Sequence, residues 1–151
     1  MLNSIDNKIK FISFDDFNLN RYLGKWFEIA RIQNNFQPNM IDCSAEYILN
    51  EKGYIDIINR GYVNDKLVSI KGKAIKTKRN NEFRVSFFLY NYSTYKILAI
   101  DENYKYSLVG GDSNDYLWIL SRSTYIPDDV YDYFVKIAYE NGYNINKLNK
   151  Y

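Results

Sequence analysis

The sequence predicts an all-β protein: an eight-stranded antiparallel up-and-down β-barrel with one C-terminal α-helix packed outside. Three observations carry that expectation. Aromatic residues make up 18% of the 151, with 16 Tyr and 9 Phe, and such residues favour pleated, half-buried surfaces. Eight strand-like runs follow one another between Trp26 and Arg122 with short connections, a spacing that suits a closed meander. Only after them does the apolar period change to that of a helix.

The elements follow in order. Residues 1–17 mix Asn, Asp, Lys and single apolars without a clean period and read as a leading arm. The barrel is expected over 18–123. Asn18 can close a turn on the backbone, and Gly24 frees the chain to bend just before the first strand. In that strand alternation puts Trp26, Glu28, Ala30 and Ile32 on one face, with Phe27, Ile29 and Arg31 on the other. Asn34 to Asn39 breaks it into a long loop, and Cys43 to Leu49 alternates again. Asn50-Glu51-Lys52-Gly53 is a hairpin turn, followed by Tyr54 to Val63, a turn at Asn64-Asp65-Lys66, and Leu67 to Thr77. Glu82 to Tyr90, Tyr95 to Asp101, Tyr106 to Gly110 and Tyr116 to Arg122 complete the eight.

The helix is expected over 127–141. Pro127 suits its first turn, Asp128 and Asp129 its positive end, and Val130, Phe134, Ile137 and Ala138 recur at helical spacing. A short last strand is expected over 144–148.

Composition removes several functions. The length fits one domain, 1–151, and 46% hydrophobic with 25% charged residues fits a folded globule. A net charge of +2 with both signs interspersed makes no polyanion footprint, so nucleic acid is not an expected partner. There is no histidine, which removes the usual general base, the common haem ligand and most zinc sites, so no metal or cofactor is expected. Cys43 is the only cysteine and can form no internal disulfide. No run approaches a transmembrane helix, and the first twenty residues lack a signal peptide's apolar core. The compartment stays open between the cytosol and a site reached by a leader since removed.

Gly24-Lys25-Trp26 at the first strand, eight strands and one late helix resemble the lipocalins. Tyr104, ahead of Tyr106-Ser107-Leu108-Val109-Gly110, falls where that family keeps its second motif. Leu117-Trp118-Ile119-Leu120-Ser121-Arg122 looks like its third, in which the arginine lies over the first-strand tryptophan. Trp26-Phe27-Glu28-Ile29-Ala30-Arg31 and Asn59-Arg60-Gly61-Tyr62 are similar to the bacterial lipocalins and, more loosely, to apolipoprotein D. The resemblance runs from about Phe17 to the C-terminus. Two departures stand out: the second motif's usual Thr-Asp-Tyr reads Glu102-Asn103-Tyr104, and no lipid-attachment cysteine stands near the N-terminus.

The resemblance implies that Gly24, Trp26 and Arg122 form a structural latch. Burying an indole at the barrel end is worth roughly 5 kcal/mol as an upper figure, and a guanidinium on its face adds ~1 kcal/mol. It also implies a ligand inside the barrel, a fatty acid or lysophospholipid, and an envelope location in the periplasm or outer membrane. Peripheral membrane association and a monomer or weak dimer are consistent with it.

Alternation and resemblance together give the inward faces. The candidate ligand-binding residues are Ala45, Tyr47, Ile57, Asn59, Phe83, Val85, Phe87, Tyr116 and Trp118. Leu49, Ile55, Ile70, Gly72, Ala74, Ile97, Ala99, Ser107 and Val109 share those faces. Asn59 either orients a ligand's carbonyl or carboxyl, or bonds a neighbour or water. Glu28 pairs with a tyrosine hydroxyl or Arg122, or is a functional carboxylate. Arg21, Arg31, Lys66 and Lys96 are either cations near the mouth or solvated charges. Two rival functions remain beside carriage. One is a lipid isomerase using Cys43 as nucleophile, although nothing near it in sequence lowers its pKa. The other is a protein-binding module using loops around Asn34 to Met40 and Asn91 to Thr94.

Overall fold

The computed structural model describes residues 3–5, 9–34, 37, 39–88 and 91–151. A hairpin of β1 (Asn3–Ile5) and β2 (Ile9–Phe11) leads through a 3-10 turn, Phe14–Asp16, into the short helix α1 (Leu19–Tyr22). Eight strands follow: β3 (Gly24–Ile32), β4 (Ile41–Leu49), β5 (Ile55–Val63), β6 (Lys66–Lys76), β7 (Glu82–Phe88), β8 (Asn91–Ile100), β9 (Tyr106–Gly110) and β10 (Leu117–Ser121). Each pairs antiparallel with the next, and β10 pairs back onto β3, which closes the barrel. Helix α2 (Asp128–Glu140) and β11 (Leu148–Lys150) end the chain, with β11 taking the edge of β3 that β4 has left.

Three boundaries differ from expectation. The leading arm carries regular structure, because Ile12 donates its N–H to Ile100 and so ties the arm to the barrel. Asn91 to Thr94 is strand rather than loop, since Thr94 and Ser93 pair with Arg84 and Val85. Tyr90, the expected end of the strand before it, lies outside the described residues. The last strand starts at Leu148 because Asn144 to Lys147 closes a turn, held by the Asp115 carboxylate.

Two bulges overturn part of the alternation reading. Leu120 faces Glu28 and Ile119 faces Ala30, so Ile29 is an extra residue that flips the face of everything after it. Ala30 and Ile32 therefore turn outward to α2, and Arg31, opposite Trp118, turns inward and is wholly buried. Leu98 is the second extra residue: Ile97 and Ile100 point inward while Ala99 packs outside. Leu49, at the far end of β4, is 42% exposed rather than buried.

The outward faces created by the bulges receive α2. Val130, Phe134 and Ala138, one helical stripe, are fully buried against Ala30, Ala99, Leu108, Ile119 and Phe11.

The Trp26 end of the barrel is closed. The Trp26 indole is fully buried and donates Nε1–H to the Tyr22 carbonyl at 2.8 Å. The Arg122 guanidinium lies 3.8 Å from the ring centroid and donates to the carbonyls of Tyr104, Lys25, Arg21 and Tyr22. Gly24 stands beside it at φ +98°, a conformation that a side chain would strain. Tyr104 accepts the Asn18 N–H at 2.7 Å and carries Arg21 over its ring, so Arg21 belongs to this end and not to the mouth.

Arg122→Ala removes the cation–π contact and strips a donor from all four carbonyls. Denaturant unfolding is expected to show a loss of roughly 2–3 kcal/mol. A loss under about 0.5 kcal/mol would mean that water replaces the guanidinium without cost.

Candidate functional site

Away from the Trp26 end, the small side chains of Ala45 on β4 and Ser93 and Thr94 on β8 face a void in the barrel. About 620 Å3 is empty there, counting the solvent at its mouth. The void forms a slot in the barrel that is partly open at its mouth. Ala45 and Tyr47 of β4, Ile57 and Asn59 of β5, and Val85 and Phe87 of β7 line it, with Trp118 of β10 and Tyr116 just before that strand. Phe87, Ser93, Tyr116 and Trp118 are half-buried and mark the mouth, where the rings of Tyr116 and Trp118 stack. Gly72 lets Phe87 lie flat against β6, because a methyl group there would meet the ring at 2.6 Å. Phe83, also expected at the site, lines a second and smaller void towards Trp26, about 270 Å3 including open solvent, together with Leu19, Ile55 and Ala74.

Between the two voids stand three tyrosines. The Tyr22 hydroxyl lies 2.6 Å from that of Tyr95 and 3.0 Å from Ser107 Oγ, and Tyr95 donates to Tyr47 at 3.0 Å. Burial pushes the Tyr22 phenol up to about 12 and raises Tyr47 and Tyr95 as well. All three stay neutral at physiological pH. Tyr95 escaped the sequence reading although it shares the parity of Ile97; Tyr22, on a helix, left no periodic signal.

Asn59 differs. It is only 8% exposed and lines the void, and among the described residues its side-chain amide has no hydrogen-bond partner and is open to the void.

A polar chain runs down one wall. Trp118 Nε1–H donates to Gln37 Oε1 at 3.0 Å, and Gln37 Nε2 donates to Glu28 Oε2 at 2.9 Å. Arg31 Nη1 donates to Glu28 Oε1 at 2.7 Å and to Cys43 Sγ at 3.1 Å. Its Nη2 holds the carbonyls of Gln37 and Met40. The partners of Glu28 are thus Arg31 and Gln37, not a tyrosine or Arg122. Arg31 is no mouth cation, because the Ile29 bulge turned it inside. Burial holds the Glu28 carboxyl above its usual range even though Arg31 pulls it down. Burial also works against the charge on Arg31, but the Glu28 carboxylate outweighs it and keeps the guanidinium protonated. Gln37 lies in the irregular loop after β3, where no pattern points inward. Of the expected loop Asn34 to Met40, residues 35, 36 and 38 lie outside the described residues.

Burial, reinforced by Glu28, pushes the Cys43 thiol up to about 11, so it stays protonated at neutral pH. Among the described residues no group of His, Cys, Asp and Glu is placed to hold a metal ion.

Residues 17–151 match the lipocalin-like domain family. The chain is 37% identical over 138 residues to the outer membrane lipoprotein Blc of Vibrio cholerae, covering 88% of this chain and 81% of that one. It is 32% identical over 146 residues to apolipoprotein D of Cavia porcellus, covering 89% and 76%. The solved structure of lobster apocrustacyanin A1 matches the fold with a TM-score of 0.72 at 21% identity, over 88% of this chain and 78% of that one.

Two outcomes are expected from the buried groups. Arg31→Leu leaves Glu28 uncompensated and lowers stability by roughly 3–5 kcal/mol at neutral pH. Protonating Glu28 removes the stranded charge, so the deficit should shrink as pH falls; a deficit independent of pH would show that Glu28 carries no charge in the folded protein. In alkaline titration Tyr22, Tyr47 and Tyr95 should stay silent past the ordinary phenol value of 10.0 and ionise as the barrel opens. The stability they contribute is present below that value and is lost as pH climbs through their raised ones. All 16 Tyr titrating together while circular dichroism stays native would contradict this.

Proposed function

The chain belongs to the lipocalin family, and from that premise we propose that it reversibly binds and carries a small hydrophobic molecule in its barrel. Fatty acids and lysophospholipids are the ligands that fit the reading. Asn59 is the observation that carries it. Its amide opens on the slot with no protein partner among the described residues, so a ligand carbonyl or hydroxyl entering there replaces water with a hydrogen bond worth about 1 kcal/mol. Around it Ala45, Tyr47, Ile57, Val85, Phe87, Tyr116 and Trp118 supply apolar contact, with Phe83 below. The half-buried rings of Phe87 and Trp118 border the slot where a ligand would enter. Gly24, Trp26 and Arg122 hold the far end shut.

Carriage is preferred to catalysis because the Cys43 thiol is protonated, buried and engaged by Arg31. An isomerase using Cys43 would need turnover that Cys43→Ser abolishes. Likeness to the Vibrio cholerae protein, named as an outer membrane lipoprotein, supports a place in the cell envelope, in the periplasm or on the outer membrane. Among the described residues no helix is long and apolar enough to cross a membrane.

Native mass spectrometry before and after organic extraction tests the proposal. An acyl lipid should co-purify or bind on addition, and Asn59→Leu should weaken it about ten-fold or more, the worth of one buried hydrogen bond. An apo mass that added fatty acids and lysophospholipids fail to shift would overturn it.

A further inference from the structure

The upper slot and the lower void are two parts of one barrel interior. Tyr47, Ile57, Val85 and Tyr95 line both. What divides them is the run of hydroxyls from Ser107 through Tyr22 and Tyr95 to Tyr47, which crosses the interior from β9 to β4. The rings are braced: Tyr22 packs on Trp26 at 5.0 Å, and Tyr95 meets Tyr47 and Phe83 edge-on at 5.9 and 6.2 Å. Their hydroxyls bond one another and need nothing from a ligand, unlike the Asn59 amide above them. A methylene chain entering from the mouth gains by displacing water along apolar walls. To go further it would have to break hydroxyl bonds in a low-dielectric site, where a lost partner is costly.

We propose that Tyr47 and Tyr95 form a floor that sets how much of an acyl chain the barrel accepts, with the void beneath them closed to ligand. The proposal rests on acyl binding as argued above. Tyr95 is the residue to change, because its hydroxyl joins the other two and its ring faces both voids.

The test is the affinity of purified protein for a graded series of saturated lysophosphatidylcholines, medium to long. Each methylene buried on binding raises affinity about four-fold. Wild type should follow that slope and then level off once the chain reaches the floor. Tyr95→Ala should continue the rise for several further carbons as the lower void becomes available. Should Tyr95→Ala fail to fold, Tyr95→Leu, which keeps most of the apolar volume but not the hydroxyl, should extend the rise by fewer carbons. The same levelling point in wild type and a folded Tyr95 variant would overturn the floor alone. Wild type binding no member of the series would overturn the acyl reading and the floor together.

Discussion

A barrel of eight strands stays shut at one end only if something large fills it and something else holds the filler in place. Here the filler is Trp26 and the clamp is Arg122. One guanidinium stacks on the indole and reaches four carbonyls drawn from α1, β3 and the turn before β9. It joins the chain entering the barrel to the strand that completes it. The slot that Asn59 and Trp118 line, its mouth and the loop after β3 lie towards the other end.

The same strand that carries Trp26 also organises the polar interior. The extra residue at Ile29 costs β3 one ladder position and yields two faces of opposite character. Ala30 and Ile32 meet α2 outside, while Arg31 enters the barrel beside Glu28. A buried ion pair is seldom a net gain in stability. What this one does is geometric: Arg31 ties the loop carbonyls of Gln37 and Met40 to the wall, and Gln37 in turn links Glu28 to Trp118 at the mouth.

Strand order, closure and the outer helix were legible in the sequence because period-two and period-3.6 patterns are strong over long runs. Ala45, Tyr47, Ile57, Asn59, Val85 and Trp118 followed from alternation together with the family resemblance, and they line the slot. Alternation fails where a residue is inserted, since a bulge leaves no mark on composition; that is why Ala30, Arg31, Ile32 and Ala99 were placed on the wrong side. Gln37 and Tyr22 come from a loop and a short helix, where no period exists to read. The pairing of Glu28 depended on the same bulge and could not be seen without it.

Two tryptophans at opposite depths, Trp118 at the mouth and Trp26 at the closed end, give the most direct test of an acyl ligand inside the barrel. The measurement is fluorescence of the protein titrated with a fatty acid carrying a nitroxide on its chain. Carriage in the barrel predicts saturable quenching that Trp118→Phe largely abolishes and that an unlabelled acyl lipid reverses. Quenching that only rises linearly with nitroxide, or that no acyl lipid displaces, would contradict it.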